Sequence, residues 1–513
     1  MLLRQDVPSS QPALPGLRLK VLIALAAATI LCMWVLPLRS SLWLDELVTY
    51  WSAYKGVLGA IFRSQAWPGQ NIPYMVMVAA AMKVGGHSEI VLRLPSLAAA
   101  LLTAWLLFRL GERFLDREAG LLAVVIFTCL HEIARDAAAN ARPYSIALLL
   151  AVAAVLQLVR WIDTHRRRTL AGFVLAAAAI PYFHYLFASM YLVFLVYGIY
   201  EYRVEHRVRL RELIAAAGFI AVLLSPLVWD FLHVHRATSQ VSFAGTPEAP
   251  LLLDAFMPQA LAASVFLAAV ASWIAWRNNI QVSGELPSSA KVLLGSWLTI
   301  PILFSFVVAR LTPMKIFVPR YYLVSFAALA LILGCAIRML LAPRVRIVLA
   351  AFMVLGSVVT YSGYHLTLSP HRENWRAAAQ LVRSADVQPT TPVLVRVGLI
   401  ETRNVHWPVD IDRDSPLLCP LSKYPVPGRV ILLPYVIDDQ SKAYLRQITS
   451  QVLDHSDRFV LMARGENVDF IAWAQGWFTG RNFVSQELGK SEGVRVFLFR
   501  RNPVPGGSEP AAN

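Results

Sequence analysis

Long apolar runs recur through the first two thirds of the chain, and they constrain the fold more than any other feature. A helix that crosses a bilayer core about 30 Å thick needs roughly 20 mostly apolar residues. A longer run, 169–202, is divided by "PYFHYLF", which predicts two short helices that turn between Pro181 and Phe187. With these two, the sequence predicts eleven transmembrane helices, the other nine being centred on 20–38, 89–109, 119–136, 142–162, 212–233, 253–276, 291–309, 320–341 and 346–366.

The composition agrees with a membrane protein. Of the 513 residues, 57% are hydrophobic and 15% are charged, whereas roughly a quarter of the residues of a soluble domain are charged. The formal net charge is +15, but no basic patch alternates with stacking aromatic residues, so we expect no nucleic-acid partner. The four cysteines show neither a metal-binding spacing nor a disulfide framework; they are Cys32, Cys129, Cys335 and Cys419.

The distribution of basic residues predicts the topology. An odd number of spans places the two ends of the chain on opposite sides of the membrane. Nineteen Lys and Arg residues fall in the amino terminus and the connections on its side, against six in the connections on the other side. Because positive charge is retained in the cytoplasm, the amino terminus is expected inside and the carboxyl-terminal region outside, in the periplasm. The first apolar run lacks a good cleavage site and is expected to span the cytoplasmic membrane rather than act as a removable signal.

Two regions are expected on the outer face. Residues 39–88 form the first outer loop of a transmembrane domain, 1–366, and their apolar stretches are too short or too polar to span, which favours helices lying in the interface plane. Residues 367–505 read as a small α/β domain. "ENWRAAAQLVRSA" predicts its helix, and the strands are predicted at "TPVLVRVGLI", "GRVILLPYVI", "DRFVLMARG" and "GVRVFLFRR". A disordered tail is expected at 506–513.

Polar chemistry collects at the outer ends of the predicted spans. Asp45 and Glu46 lie in "SLWLDELVTYW", directly after the first span. The other polar connections are 131–145, 183–185 and 310–322. Ionisable groups near membrane depth are costly and mark functional sites by default. Because these segments share one membrane face, we expect them to converge on a single cavity.

Each of these groups also has a purely structural interpretation. Asp45 is well placed to cap the helix that follows it, and Glu46 suits a supporting role. Arg142 is a suitable interface anchor, and Lys315 and Arg320 are able to reach lipid headgroups. Their occurrence together favours a reaction site, since a carboxylate can act as a base toward an acceptor while cations hold a departing phosphate. A donor with a long apolar tail would need a groove lined by helices.

The order and spacing of these segments resemble a known family. "WLDE" in the first outer loop is similar to the signature of the GT-C membrane glycosyltransferases, in particular the family 39 protein mannosyltransferases and the lipid A aminoarabinose transferase-like proteins of bacteria. "HSEIVLRLPSLAAALLTAWLLFRLGERFLDREAGLLA", "NARPYSIALLL", "PYFHYLF" and "PRYYLVSFAALAL" resemble the matching family segments. The resemblance implies a polytopic α-helical membrane protein of the GT-C type with an outer α/β domain.

The resemblance also implies an activity. The chain would transfer a sugar, with inversion, from a polyprenyl-phosphate-linked donor to a lipid, glycan or protein acceptor on the outer face of the cytoplasmic membrane. Asp45 would act as the base, and Glu46 would orient the acceptor or share a divalent cation, although no ligand cluster demands a metal or other cofactor. The donor phosphate would be held by Arg142, Lys315 and Arg320. The substrate cavity would be lined by Asp136, Asn140, Tyr144, His184, Tyr185 and Tyr321.

Two departures from the family pattern leave alternatives open. "GQNIPY" stands where the family often has His-Pro-Pro, and Asn140 stands where it often has an acid. The second acid of the site is therefore either Asp136 or missing. Two other functional classes remain as alternatives: a transporter or lipid flippase, which would show paired broken helices and mid-span charges, and a non-catalytic membrane scaffold.

Overall fold

A computed structural model describes most of the chain. The described residues are 15–66, 71–228, 245–258, 284–364, 371–403, 408–465, 468–489 and 491–502, with isolated residues between 259 and 283. They fall into two compact units. One contains the chain up to Leu38 together with Arg93–Leu366, and the other contains Arg39–Leu92 together with the chain from Thr367 onward.

The first unit is helical. Its first helix continues through one π-helical stretch and a final 3₁₀ turn as far as Arg39. The helix that starts at Glu89 begins four residues before Arg93, where the second part of this unit starts. The helices are α1 (Pro15–Thr29), α5 (Glu89–Phe114), α6 (Arg117–Cys129), α7 (Tyr144–Thr164), α8 (Arg167–Phe183), α9 (Met190–Arg203), α10 (Leu210–Leu224), α11 (Ala249–Phe256), α12 (Ser288–Leu311), α13 (Leu323–Leu340) and α14 (Pro343–Tyr364).

These helices agree with the predicted spans. Within the described residues, seven helical segments are long and apolar enough to cross a membrane. Shorter helices, α6, α8 and α10, fall on three further predicted spans. The predicted turn between Pro181 and Phe187 coincides with the end of α8 and a 3₁₀ turn, Tyr185–Ser189. The predicted span 253–276 lies mostly outside the described residues, as does the predicted disordered tail.

Small residues let the membrane helices approach closely. A Cβ atom added to Gly334 of α13 would lie 2.7 Å from the backbone nitrogen of Ala123 in α6. A Cβ added to Gly111 of α5 would lie 2.5 Å from the Cα of Gly120 in α6. Helix association in lipid depends on close packing rather than on the hydrophobic effect, so glycines at these crossings favour the observed contacts. The helix α6 therefore packs tightly on both α5 and α13.

The second unit joins two distant parts of the chain. Its first part carries α2 (Leu44–Ala53), α3 (Gly56–Ala66) and α4 (Ile72–Gly85). Its second part is the α/β domain, with strands β1 (Pro392–Arg396), β2 (Arg429–Leu432), β3 (Arg458–Arg464), β4 (Phe483–Gly489) and β5 (Val494–Arg501) and helices α15 (Trp375–Ser384), α16 (Cys419–Lys423), α17 (Asp439–Gln451) and α18 (Val468–Thr479). The sequence predicts 39–88 as a loop of the transmembrane domain, whereas the structure groups these residues with the α/β domain.

The five strands form one mixed sheet in the order β2-β1-β3-β5-β4. Strand β1 is parallel to β2 and β3, and β5 is antiparallel to β3 and β4. Phe459 of β3 stacks on Phe499 of β5 with ring centroids 4.7 Å apart, and Phe478 of α18 meets Phe459 edge-on. The helix at "ENWRAAAQLVRSA" and the four predicted strands are present, and the strand β4 was missed.

Candidate functional site

Asp45 and Glu46 lie in the first turn of α2. The side chain of Glu46 is fully buried, and its Oε2 accepts a hydrogen bond from the backbone N–H of Trp43 at 3.3 Å. This contact satisfies one of the N–H groups that a helix start leaves without an intrahelical partner. Asp45 is half-buried. Glu46 therefore caps this helix start, and it is the residue that follows Asp45, the acid proposed as the base.

The same helix start is held by the α/β domain. Glu373 is buried, and its Oε2 accepts hydrogen bonds from the backbone N–H of Leu44 and from the Trp375 indole, both at 3.0 Å. Its Oε1 lies 2.6 Å from a guanidinium nitrogen of Arg464. A carboxylate at a helix N-terminus is also favoured by the helix dipole. Glu373 thus fixes the backbone immediately before Asp45.

A second acid lies near Asp45. Glu401 belongs to a 3₁₀ turn, Ile400–Thr402, of the α/β domain, and part of its side chain is exposed. Desolvation by the surrounding protein raises the pKa of Glu401, and the neighbouring Asp45 carboxylate raises it further. The two carboxyl groups are therefore close enough to interact electrostatically, which gives the Asp45 environment a second carboxyl group within the same unit.

Asp414 ties the helices α2 and α3 to the α/β domain. Its carboxylate accepts hydrogen bonds from Tyr54 and from Arg63, each at 2.5 Å, and pairs with Lys55. Its backbone carbonyl accepts a bond from the Trp51 indole at 2.8 Å. Burial alone would raise the pKa of Asp414, but the hydrogen bonds from Lys55, Tyr54 and Arg63 lower it to about 2. The group is therefore charged under all ordinary conditions.

The first unit brings together two of the three predicted phosphate-binding cations. Arg142 lies two residues before the first residue of α7, and Arg320 lies in a 3₁₀ turn, Pro319–Tyr321, just before α13. His184 lies in the connection between α8 and α9. Burial lowers the pKa of His184, and the positive charges of Arg142 and Arg320 lower it further. The histidine is therefore neutral at physiological pH, and both guanidinium groups lie close to its ring.

Aromatic rings surround this group. The ring of His184 lies 5.0 Å from that of Tyr144 and 5.6 Å from that of Tyr321, measured between centroids. The guanidinium of Arg320 lies 5.4 Å from the centre of the Tyr321 ring. Tyr185, which is half-buried, opens the 3₁₀ turn that follows His184. Four of the predicted cavity residues thus come from three separate connections of the helical unit.

Lys315 has a different arrangement. Its Nζ donates hydrogen bonds to the carbonyls of Ala309 at 3.1 Å and Thr312 at 3.4 Å. These carbonyls belong to the end of α12, where a cation is favoured by the helix dipole. An ammonium has three N–H donors, so these two contacts leave one for a ligand. The structure therefore gives Lys315 a contact with the end of α12.

Asp136 is buried and paired. It lies in a π-helical turn, Ile133–Ala138, and its carboxylate accepts three hydrogen bonds from the adjacent Arg135, the shortest at 2.7 Å. Asn140 is fully buried and donates to the backbone carbonyl of Asp136 at 3.3 Å. The Asp136 carboxylate is therefore already engaged by a neighbouring guanidinium of the same connection.

The structure places Asp45 and Glu46 in one unit and the other nine predicted site residues in the other. The sequence does not predict three residues that interact with the predicted site residues or their backbone. Arg135 bonds to Asp136, Glu373 bonds to Leu44 beside Asp45, and Glu401 interacts electrostatically with Asp45. Arg135 had a local signal, because it directly precedes Asp136. Glu373 and Glu401 had none, since they lie more than 300 positions from Asp45. Within the part of the chain that the structure describes, no group of three or more His, Cys, Asp or Glu side chains is arranged to hold a metal ion.

Comparison with known proteins gives both a sequence match and a structural match. Residues 72–229 match the family of dolichyl-phosphate-mannose-protein mannosyltransferases. This range contains Arg142 and His184 but neither Asp45 nor Arg320. No curated protein sequence matches the chain significantly.

Two crystal structures of ArnT from Cupriavidus metallidurans are similar in fold. The structure bound to undecaprenyl phosphate has a TM-score of 0.54 and 12% identity, and the match covers 97% of this chain and 100% of that one. The structure in the apo state has the same TM-score and identity, with 93% and 97% of the two chains covered. The fold described above is therefore similar to that of ArnT over almost its whole length.

Proposed function

We propose that the chain is a membrane glycosyltransferase of the GT-C type, which transfers a sugar from a polyprenyl-phosphate-linked donor to an acceptor on the outer face of the cytoplasmic membrane. The family match of residues 72–229 and the fold shared with ArnT support this proposal. The observation that carries the donor class is the position of Arg142 and Arg320 beside the ends of membrane helices, where both interact electrostatically with His184. The structural relative ArnT, which was crystallised with undecaprenyl phosphate, supports the same class of lipid.

The two arginines suit a leaving phosphate. Arg142 is separated from the start of α7 by Pro143, and Arg320 is separated from the start of α13 by two residues. Helix N-termini present free N–H groups and a positive dipole end. A guanidinium donates two parallel hydrogen bonds to a phosphate, which fixes its orientation as well as its charge. The neutral ring of His184 adds no positive charge. In the proposal, Arg142 and Arg320 bind the donor phosphate, and Lys315 contributes its remaining donor.

Asp45 is proposed to activate the acceptor. Its carboxylate would take the proton from the acceptor nucleophile as that atom attacks the anomeric carbon of the sugar. The bond between this carbon and the phosphate oxygen breaks, and polyprenyl phosphate leaves with the bonding electron pair. Attack on the face opposite the leaving group inverts the anomeric centre. Glu46 is proposed to hold the helix start through Trp43 and so to orient Asp45.

The pairing of residues 39–92 with the α/β domain supports the proposed topology. Because these two parts pack as one unit, we take them to lie on one side of the membrane, and the chain between them would then cross it an even number of times. The described helices in this interval, α5–α10 and α12–α14, together with the predicted span 253–276, would give ten crossings. Combined with the positive-inside rule, this even count favours an outer location for Asp45 and for the α/β domain.

Turnover of a labelled donor tests the proposal. The purified full-length protein is incubated with a radiolabelled polyprenyl-phosphate sugar and an envelope extract as the source of acceptor. A transferase releases polyprenyl phosphate and labels an acceptor. A flippase moves the donor across vesicles without cleaving it, and a scaffold does neither, so either of these results would contradict the proposed function.

A further inference from the structure

A second polar site lies at the other end of the helical unit. A cavity of about 460 Å³ opens where α5, α7 and α9 end and α12 begins. Its lining includes Arg109, Arg113, Arg160 and Arg207, with Glu112 and Asp163 as the carboxylates. Four arginines against two acids leave an excess of positive charge. The connections at this end are those that the charge distribution assigns to the cytoplasm.

The carboxylates do not neutralise the cluster. Asp163 pairs with both Arg113 and Arg207, and Glu112 lies 3.5 Å from Arg109. Arg207 also lies 3.5 Å from Glu201. One carboxylate is thus shared by two guanidinium groups.

Arg160 is the lining arginine that the ion pairs described above do not include. It is half-buried in the last turns of α7, and within the described residues its guanidinium has no carboxylate at ion-pair distance. It is close enough to Arg113 for their charges to repel. A helix dipole accounts for a cation at the end of each helix, but it does not account for their convergence on one cavity.

We propose that this cavity binds a phosphate group, presented by the headgroup of an anionic phospholipid of the adjacent leaflet. Basic pockets between membrane helices at the cytoplasmic end are suited to acidic lipid headgroups, and arginine binds phosphate through paired hydrogen bonds. A phosphate beside Arg160 would relieve its repulsion from Arg113. The site is separate from Arg142 and Arg320, which lie at the opposite ends of the helices, and it does not depend on the sugar-transfer proposal.

Lipid binding to the purified, delipidated full-length protein tests this site. Native mass spectrometry measures the affinity for phosphatidylglycerol, with phosphatidylcholine as the zwitterionic comparison and inorganic pyrophosphate as the water-soluble source of phosphate. Arg160→Gln removes the charge without breaking an ion pair. Its matched control is Arg168→Gln, an exposed arginine in the first turn of α8 at the same membrane face.

We expect phosphatidylglycerol to bind the wild type and Arg168→Gln equally, and to bind Arg160→Gln on the order of tenfold more weakly. Binding of pyrophosphate that depends on Arg160, without such binding of the lipid, would keep the phosphate site but contradict the lipid source. Equal affinities of wild type and Arg160→Gln for both ligands would overturn the proposal. If Arg160→Gln fails to fold, Arg109→Gln, which also loses the contact with Glu112, provides a second comparison in the same cavity.

Discussion

The carboxylate of Glu373 accepts a hydrogen bond from the backbone N–H of Leu44 at 3.0 Å. The two residues are 329 positions apart in the chain, and Leu44 begins the helix that carries Asp45. The same carboxylate pairs with Arg464. One buried side chain thus connects the helix start of the first outer loop to the α/β domain.

Glu373→Ala should destabilise this unit strongly. It removes the buried carboxylate that accepts from the Leu44 N–H and pairs with the half-buried Arg464 guanidinium. Breaking a buried ion pair from one side costs up to about 3–5 kcal/mol. Glu373→Gln keeps a carbonyl acceptor for Leu44 and should cost less. Urea denaturation of the purified protein in detergent measures the free energy of unfolding of both variants.

The control for these variants is Glu487→Ala, which removes a surface partner of Arg495 and should cost about 1 kcal/mol or less. An equal loss in Glu373→Ala and Glu487→Ala would show that Glu373 does not anchor the helix.

The attachment of α2 and α3 through Asp414 should weaken in acid. The folded-state pKa of Asp414 is lowered to about 2, below the value of about 3.9 for an unfolded aspartate. Its stabilising contribution is therefore complete above about pH 4 and is lost as the pH falls toward 2. Thermal unfolding of wild type and Asp414→Asn should differ most above pH 4 and converge toward pH 2. A difference that stays constant over this range would exclude the charge of Asp414 as the cause.

Arg320 and Lys315 should respond differently to substitution. Arg320→Lys keeps the charge but loses the paired hydrogen bonds to phosphate, so we expect weaker donor binding and slower transfer, with Arg320→Ala nearly inactive. Lys315→Arg keeps a cation at the end of α12 and should retain most activity. Donor affinity and single-turnover rate are measured for each variant. If Arg320→Lys matches the wild type in both quantities, Arg320 does not bind the donor phosphate.

Labelling of single cysteines tests the topology. In a background without the native cysteines, Gln65→Cys and Ser450→Cys place exposed thiols in the two parts of the second unit, and Thr164→Cys places one at the end of α7. We expect an impermeant maleimide added to intact cells to label the first two and to leave the third unlabelled until the membrane is opened. Labelling of Thr164→Cys in intact cells would reverse the orientation.

Much of the fold could be predicted because its signals are local. An apolar run of membrane length is sufficient to predict a spanning helix, and the strands β1, β2, β3 and β5 are buried and rich in Val, Leu and Phe. The strand β4 was missed because "FVSQELG" is polar and lies at the sheet edge, where pairing with β5 rather than its own pattern makes it a strand. The packing of 39–92 on the α/β domain depends on single long-range contacts such as those of Glu373 and Asp414, which leave no trace in the local sequence.

The candidate site was predictable to a similar degree. Asp45, Arg142 and Arg320 could be proposed because they are ionisable and lie at the ends of apolar runs on one predicted face. The pairing of Arg135 with Asp136, and the contact of Lys315 with the end of α12, depend on side-chain conformations that residue spacing does not specify. Asp136 and Lys315 resemble Asp45 and Arg320 in the sequence, and it is these contacts in the structure that favour different roles for them.

Single-turnover release of polyprenyl phosphate by Asp45→Asn tests whether Asp45 is the general base of the proposed sugar transfer. The amide keeps the size of the side chain but cannot accept the acceptor's proton. We expect wild-type folding and donor affinity, with release slowed by about 10²–10⁴-fold, the usual effect of losing a general base. Glu401→Gln, the neighbouring carboxyl group of the same unit, is the matched control and should retain measurable turnover. Release by Asp45→Asn at the wild-type rate would contradict the assignment of Asp45 as the base.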